Sequence, residues 1–168
     1  MGSTNETAGE SDPPKKRRNP LTASSVGGRV LSSSQLPWFL ARPPRDYGVL
    51  ETIGRNSGQR RRCCLRIVEH DKQAGIVAIG GRGVGWLANL TESPEVRIRT
   101  RQGWRSANAR VVADFPEALR SKYHESNGLF CYGEYLMWRP GRPTAEGIRD
   151  LHRTWLDTGV LVLLDLAP

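Results

Sequence analysis

Four arginines stand within eight residues, Arg55, Arg60, Arg61 and Arg62, in the stretch "TIGRNSGQRRRCCLRI" from Thr52 to Ile67. Guanidinium groups are suited to holding phosphates and carboxylates, bidentately where geometry allows. Gly54 and Gly58 bracket a tight turn whose backbone N–H groups can point outward, and Asn56 and Ser57 add neutral donors. The segment after the turn reads as a strand, which puts Arg61, Cys63, Leu65 and Ile67 on one face and Arg60, Arg62, Cys64 and Arg66 on the other. With Leu65 and Ile67 facing the core, Arg61 points inward too, and an unpaired charge there costs several kcal/mol. Its partner is either a bound phosphate or a structural carboxylate such as Glu51 or Glu95.

Other residues could do chemistry. "GGRGVG" (Gly80–Gly85) lies between a strand and a helix, but a dinucleotide fingerprint would need glycine where Trp86 or Ala88 stands, and no βαβ unit surrounds it. Gly80 and Gly81 still let backbone approach a ligand closely, and Arg82 is either a phosphate contact or an exposed turn residue. Adjacent Cys63 and Cys64 could be redox-active, although small residues in a strand more often serve packing. "LFCYGEYLMW" offers Phe130, Tyr132, Tyr135 and Trp138; Tyr132 and Tyr135 are candidates to line a substrate pocket, one of them as proton donor, with plain core packing as the alternative. His70, His124 and His152 are scattered and suggest neither a metal site nor a triad.

These groups must be positioned by short strands. "YGVLETI" is a first strand, "QRRRCCLRIVEH" (Gln59–His70) a second and "GIVAI" (Gly75–Ile79) a third. "WLANLTES" is a short helix stopping before Pro94. "VRIRTR" alternates strictly, with Val96, Ile98 and Thr100 on one face and Arg97, Arg99 and Arg101 on the other. It forms a hairpin with "WRSANARVVA". The arginine face reads as solvated, which also discourages edge aggregation. "FPEALRSKYHES" and "TAEGIRDLHRTWL" are helical, Gly128 to Pro143 irregular, and "VLVLLDL" a buried closing strand. Antiparallel strands with small helices between them predict a mainly β fold, a compact barrel with accessory helices.

The chain has 168 residues and a formal charge of +8. Seven basic and three acidic residues lie up to Arg45, eighteen and fourteen after it, so tail and body share the excess. The balance favours an anionic partner without choosing one. Residues 1–45, rich in Ser, Thr, Gly and Pro, read as a largely disordered basic tail, and residues 46–168 as the domain. "PPKKRRNP" within the tail reads as solvated, or as a polyanion-binding patch. "LPWFLARPP" is the exception, a short helical turn expected to dock on the barrel. Three cysteines without C-x-x-C spacing argue against a disulfide framework or zinc site and for reducing cytoplasm. No recognition helix or stacking platform for nucleic acid is evident.

"TIGRNSGQRR" resembles the "TTGRKTGQPR" signature of the deazaflavin-dependent nitroreductase family of actinobacteria. The likeness continues in "IVAIGGRGVGWLANLTESPEV", with Trp86, Asn89, Leu90, Pro94 and Val96 in register, and covers Tyr47–Val112 well and the last third loosely. It implies a split β-barrel of the FMN- and deazaflavin-binding type. The implied function is an oxidoreductase transferring a hydride from reduced coenzyme F(420) to a flat electrophile: a quinone, nitroaromatic or enone. The coenzyme's ribityl phosphate and glutamates would account for the arginines, and FMN fits less well. The implied cofactor contacts are Arg55, Asn56, Ser57, Gln59, Arg61, Gly80, Gly81 and Arg82, with Trp86 and Asn89 as scaffold. The family usually has lysine at Asn56, proline at Arg60 and Cys64, asparagine near Cys63 and an aromatic at Arg66; Arg60 or Arg62 can offset the lysine. The altered strand also leaves an alternative, a non-catalytic barrel that binds deazaflavin or another anionic ligand. A small-molecule acceptor, no specific nucleic acid, and a monomer or homodimer with room for peripheral membrane association complete the expectation.

Overall fold

The structure, a computed structural model, describes residues 34–167. The "PPKKRRNP" patch and the tail before residue 34 lie outside the described residues. Seven strands form one antiparallel sheet: β1 (Tyr47–Ile53), β2 (Arg60–Arg66), β3 (Val68–His70), β4 (Gln73–Ala78), β5 (Glu95–Thr100), β6 (Gly103–Val112) and β7 (Val160–Leu166). Their order is β2-β1-β5-β6-β7-β4-β3. β2 and β3 therefore occupy opposite ends of the sheet, yet only Ile67 separates them in sequence. The sheet must curl until its ends meet, and β2 touches β4. This is the split β-barrel.

One correction concerns Gln59–His70, read above as a single strand. The ladder with β1 ends at Tyr47↔Arg66, and the ladder with β4 begins at Val68↔Gly75. A straight strand cannot serve both edges. The chain turns at Ile67, whose N–H donates to the Asp46 carbonyl at 3.0 Å while its side chain enters the barrel.

The alternation in each strand fills the interior with Leu50, Ile76, Val96, Ile98, Val162 and Leu164. Helix α2 (Gly85–Glu92) adds Leu87 and Leu90, about 1.5–3 kcal/mol of burial each. Outside, α3 (Glu117–Glu125) and α5 (Ala145–Thr158) cover Val68, Val77, Leu161 and Leu163 with Leu119, Tyr123, Leu151 and Trp155. Thr144 caps α5, its Oγ1 accepting from the Gly147 N–H at 3.0 Å.

The remaining outer face is covered by α1, residues 34–41, and α4 (Leu129–Trp138). Phe39, Tyr47, Val49, Cys131 and Ile148 form its buried contact. The helical turn expected at "LPWFLARPP" does dock, through Phe39. The irregular reading of Gly128–Pro143 is corrected: Leu129–Trp138 is helix despite Gly133, because burial of Cys131 and a polar contact from Glu134 outweigh the local propensity.

The solvated reading of Arg97 and Arg99 is also corrected, while Arg101, just past β5, remains exposed. Val96, Ile98 and Thr100 are buried as the alternation requires. On the opposite face, Arg97 pairs with Glu51 at 3.6 Å and lies over the Trp104 ring at 5.0 Å. Arg99 Nε donates to the Leu40 carbonyl at 2.7 Å, and Arg101 Nε to that of Pro43 at 3.3 Å. Carbonyls at the end of a helix lack intrahelical donors, and Arg99 supplies one to Leu40 in the last turn of α1, while Arg101 holds the segment just beyond it.

Candidate functional site

The β1–β2 turn is built from its own backbone. The Gly54 N–H donates to the Gln59 carbonyl at 2.8 Å, and the N–H groups of Ser57 and Gly58 return to the Gly54 carbonyl at 3.1 and 2.8 Å. Gly58 has φ +63°, a left-handed conformation that glycine adopts without steric cost. Ser57 Oγ accepts from the Gln59 N–H and from Arg61 Nη2, both at the long limit.

Asn89 of α2 fixes this turn to the barrel. Its Oδ1 accepts from the Arg55 N–H at 3.3 Å, and its Nδ2 donates to Thr52 Oγ1 at 3.1 Å. The scaffold role expected for Asn89 is what the geometry shows. Trp86, on the same helix, packs against the barrel interior. The glycine loop, Gly80 to Val84, runs directly into the first turn of α2, with Gly81 at φ +71° and open space where a side chain would be. The same short helix thus follows the glycine loop directly and anchors the Arg55 end of the β1–β2 turn through Asn89.

The charge around the turn is unbalanced. Glu51, 3 % exposed, accepts from Arg62 Nε at 2.7 Å and Arg60 Nη1 at 3.2 Å, besides pairing with Arg97. Three guanidiniums share one carboxylate. Among the described residues no carboxylate pairs with Arg55, Arg61 or Arg82, all exposed. Arg61 does share a face with Cys63 and Leu65, which pack on the barrel interior. It stands at the open end, however, so the expected desolvation cost lapses. Glu51, offered above as its structural partner, is taken by Arg60, Arg62 and Arg97 instead. The outward-pointing backbone donors expected of this turn are not found, because the N–H groups of Gly54, Arg55, Ser57, Gly58 and Gln59 all bond within the protein. The exposed guanidiniums of Arg55, Arg61 and Arg82 are what fits a polyanionic group such as the phosphate and carboxylates of a deazaflavin tail.

Further along β2 the environment becomes apolar. Burial pushes the Cys64 thiol up to about 11 and the Cys63 thiol higher still. Neither is a thiolate at neutral pH, which agrees with packing rather than redox chemistry. Among the described residues no group of three or more His, Cys, Asp or Glu is placed to hold a metal ion.

A cavity of about 400 Å³ lies between α1, α4 and β2, lined by Phe39, Tyr47, Leu65, Arg66, Phe130 and Glu134 among others. Its size suits a small flat ligand. Arg66, 6 % exposed, donates through Nη2 to Glu134 Oε2 at 2.5 Å and to Tyr47 OH at 2.7 Å. Its guanidinium lies over the rings of Tyr47, Tyr123 and Trp155 at 5.0, 5.5 and 5.9 Å. Burial opposes its charge, but Glu134 beside it outweighs that and holds the guanidinium protonated. Burial, reinforced by Glu134, pushes the Tyr47 hydroxyl far above its usual range, so it remains a donor.

The cavity face of α4 is Phe130, Gly133, Glu134 and Met137. Tyr132 and Tyr135 do not line the cavity; Tyr132 is partly buried against the outer cluster that contains Cys131 and Ile148, and Tyr135 lies against Gly147. Sequence reading did not single out Arg66 and Glu134 as partners. The available signal was Glu134 itself, the lone carboxylate in a ten-residue apolar run.

A family model described as F(420)H(2)-dependent quinone reductase matches residues 41–139. No curated protein matches the chain. Three solved structures are distantly similar. An F(420)-H(2) dependent reductase is 18% identical over 73% of this chain and 95% of that one, with a TM-score of 0.45. A conserved hypothetical protein from Mycobacterium tuberculosis is 18% identical over 82% and 81%, at 0.43. A pyridoxamine 5'-phosphate oxidase-related, FMN binding protein from Nostoc punctiforme is 14% identical over 72% and 70%, at 0.44. Likenesses this distant decide nothing about the chemistry.

Proposed function

The chain belongs to the F(420)H(2)-dependent quinone reductase family, and on that premise we propose that it reduces a flat electrophilic acceptor, a quinone, nitroaromatic or enone, with reduced coenzyme F(420). Family membership makes it an F(420)-dependent reductase; the acceptor and the residue roles are the proposal. When bound, the coenzyme supplies a hydride from its central ring carbon.

The chain's own residues divide the work. Arg55, Arg61 and Arg82, with the donors of Asn56, Ser57 and Gln59 and the open backbone of Gly80 and Gly81, hold the anionic end. The cavity between α1 and α4 receives a flat ring and excludes water with Phe39, Leu65 and Phe130. Tyr132 and Tyr135, outside the cavity lining, support α4 rather than touch the acceptor. The observation that carries this reading is the surplus charge: exposed guanidiniums at the β1–β2 turn and the glycine loop that have no carboxylate partner among the described residues. No described helix is long and apolar enough to cross a membrane.

Fluorescence titration of the purified chain with F(420), with FMN run beside it, tests the assignment. Micromolar F(420) binding and consumption of the reduced coenzyme with a naphthoquinone are expected. Binding of FMN with no detectable F(420) binding would overturn it, and saturation with F(420) without turnover of any acceptor would leave a binding protein.

A further inference from the structure

Helix α4 carries a single carboxylate, Glu134, and turns it toward the cavity. The two oxygens of that carboxylate are unequal. Oε2 is saturated, taking the Tyr47 hydroxyl and Arg66 Nη2, each at 2.5 Å. Oε1 accepts no hydrogen bond among the described residues. The side chain is 18% exposed, and the cavity it faces is lined mainly by apolar and aromatic residues, Phe39, Leu65, Leu129, Phe130 and Met137, with Gln35 and Arg66 among its other polar side chains. Oε1 is not sealed from solvent, so an apolar molecule seated over it would strip its water, a costly step unless that molecule supplies a donor. Arg66 already offsets the charge, so a neutral donor suffices and a cation is not required.

We propose that this cavity binds a flat, mainly apolar molecule that presents an O–H or N–H donor to Oε1 of Glu134, and that Glu134 discriminates against analogues in which that donor is blocked. The site takes a phenol-like or ring N–H group, with aromatic faces from Phe39, Tyr47 and Phe130 around it. This deepens the function proposed above and rests on it only in naming the occupant: there, the molecule is an acceptor carrying a hydroxyl, or its reduced, hydroxylated product. A site that hydrogen-bonds a substrate hydroxyl rejects the analogue lacking it far more strongly than a hydrophobic wall rejects a change of size.

The probes are 2-naphthol and 2-methoxynaphthalene, titrated against the full chain at neutral pH without coenzyme and read by calorimetry. The expected result is that 2-naphthol binds about tenfold tighter or more. In Glu134→Gln, whose carboxamide keeps the shape and can still accept from Arg66, the preference should vanish or reverse. Phe130→Ala should weaken both probes alike. Equal affinities in the wild-type chain, no binding of either probe, or indifference to Phe130→Ala each overturn the proposal. Should Glu134→Gln fail to fold, the wild-type probe pair still decides. A chain that prefers 2-naphthol but does not bind F(420) would sink the coenzyme reading and leave this one standing.

Discussion

The guanidinium of Arg99 holds the carbonyl oxygen of Leu40 at 2.7 Å, fastening the last turn of α1 to strand β5. Arg99 Nη2 also reaches the Ala41 carbonyl at 3.4 Å. Because Phe39 of that turn walls the cavity, a residue remote from the ligand fixes one side of the site.

Arg99→Ala should therefore free α1 without opening the barrel. A charge-assisted bond is worth roughly 1.5–3 kcal/mol, or about 3–10 °C in a domain of this size. Hydrogen exchange should accelerate in residues 34–42 and leave the strands protected. Unchanged exchange there would show that Phe39 burial alone holds the helix.

Arg61 and Arg97 should respond oppositely to neutralisation. Arg61→Gln removes a guanidinium without a carboxylate partner, so F(420) should bind about tenfold to a hundredfold more weakly with an unchanged melting temperature. Arg97→Gln leaves the buried Glu51 with Arg60 and Arg62, so losing this one half-exposed guanidinium should cost only about 0–1 kcal/mol of stability and leave F(420) affinity nearly unchanged. Undiminished affinity in Arg61→Gln would remove that residue from the site.

Glu134→Ala leaves Arg66 buried without its carboxylate, which should cost about 3–5 kcal/mol in urea unfolding. Arg66→Met combined with Glu134→Leu should recover most of that loss, since an apolar pair needs no counter-charge. A double variant no more stable than Glu134→Ala would mean that the aromatic cage, not the ion pair, is what the site needs.

His152 gives stability a pH dependence with a definite sign. It is fully buried, stacked near Tyr123 and Trp155, with Nδ1 3.4 Å from the His124 carbonyl. Burial, then the neighbouring Arg66 charge, lowers its pKa from 6.5 to about 3. Between those values the unfolded chain binds a proton that the folded chain refuses, so stability falls as pH drops from 6.5 toward 3. The slope is at most about 1.4 kcal/mol per pH unit. Urea midpoints at pH 7.5, 5.5 and 4.5 should decline less in His152→Phe; parallel declines would assign the acid sensitivity to other groups.

What the sequence by itself determined is local. Alternation placed Val96, Ile98 and Thr100 on the inner face of β5 and Cys63 and Leu65 inside β2, because side chains of a strand point to opposite faces whatever it pairs with. The Gly54–Gly58 turn and the ordered motifs through Val96 were legible for the same reason: they depend on residues a few positions apart. Tertiary structure alone decided the partners. Glu51 meets arginines from β2 and β5 only because β1 lies between them in the sheet. Arg66 meets Glu134 across 68 residues because α4 folds back onto β1 and β2. The break at Ile67 exists because the curled sheet brings its two ends together. Register, curvature and helix docking are set by the whole chain's burial, so no window of sequence could show which arginines would be neutralised and which left for a ligand.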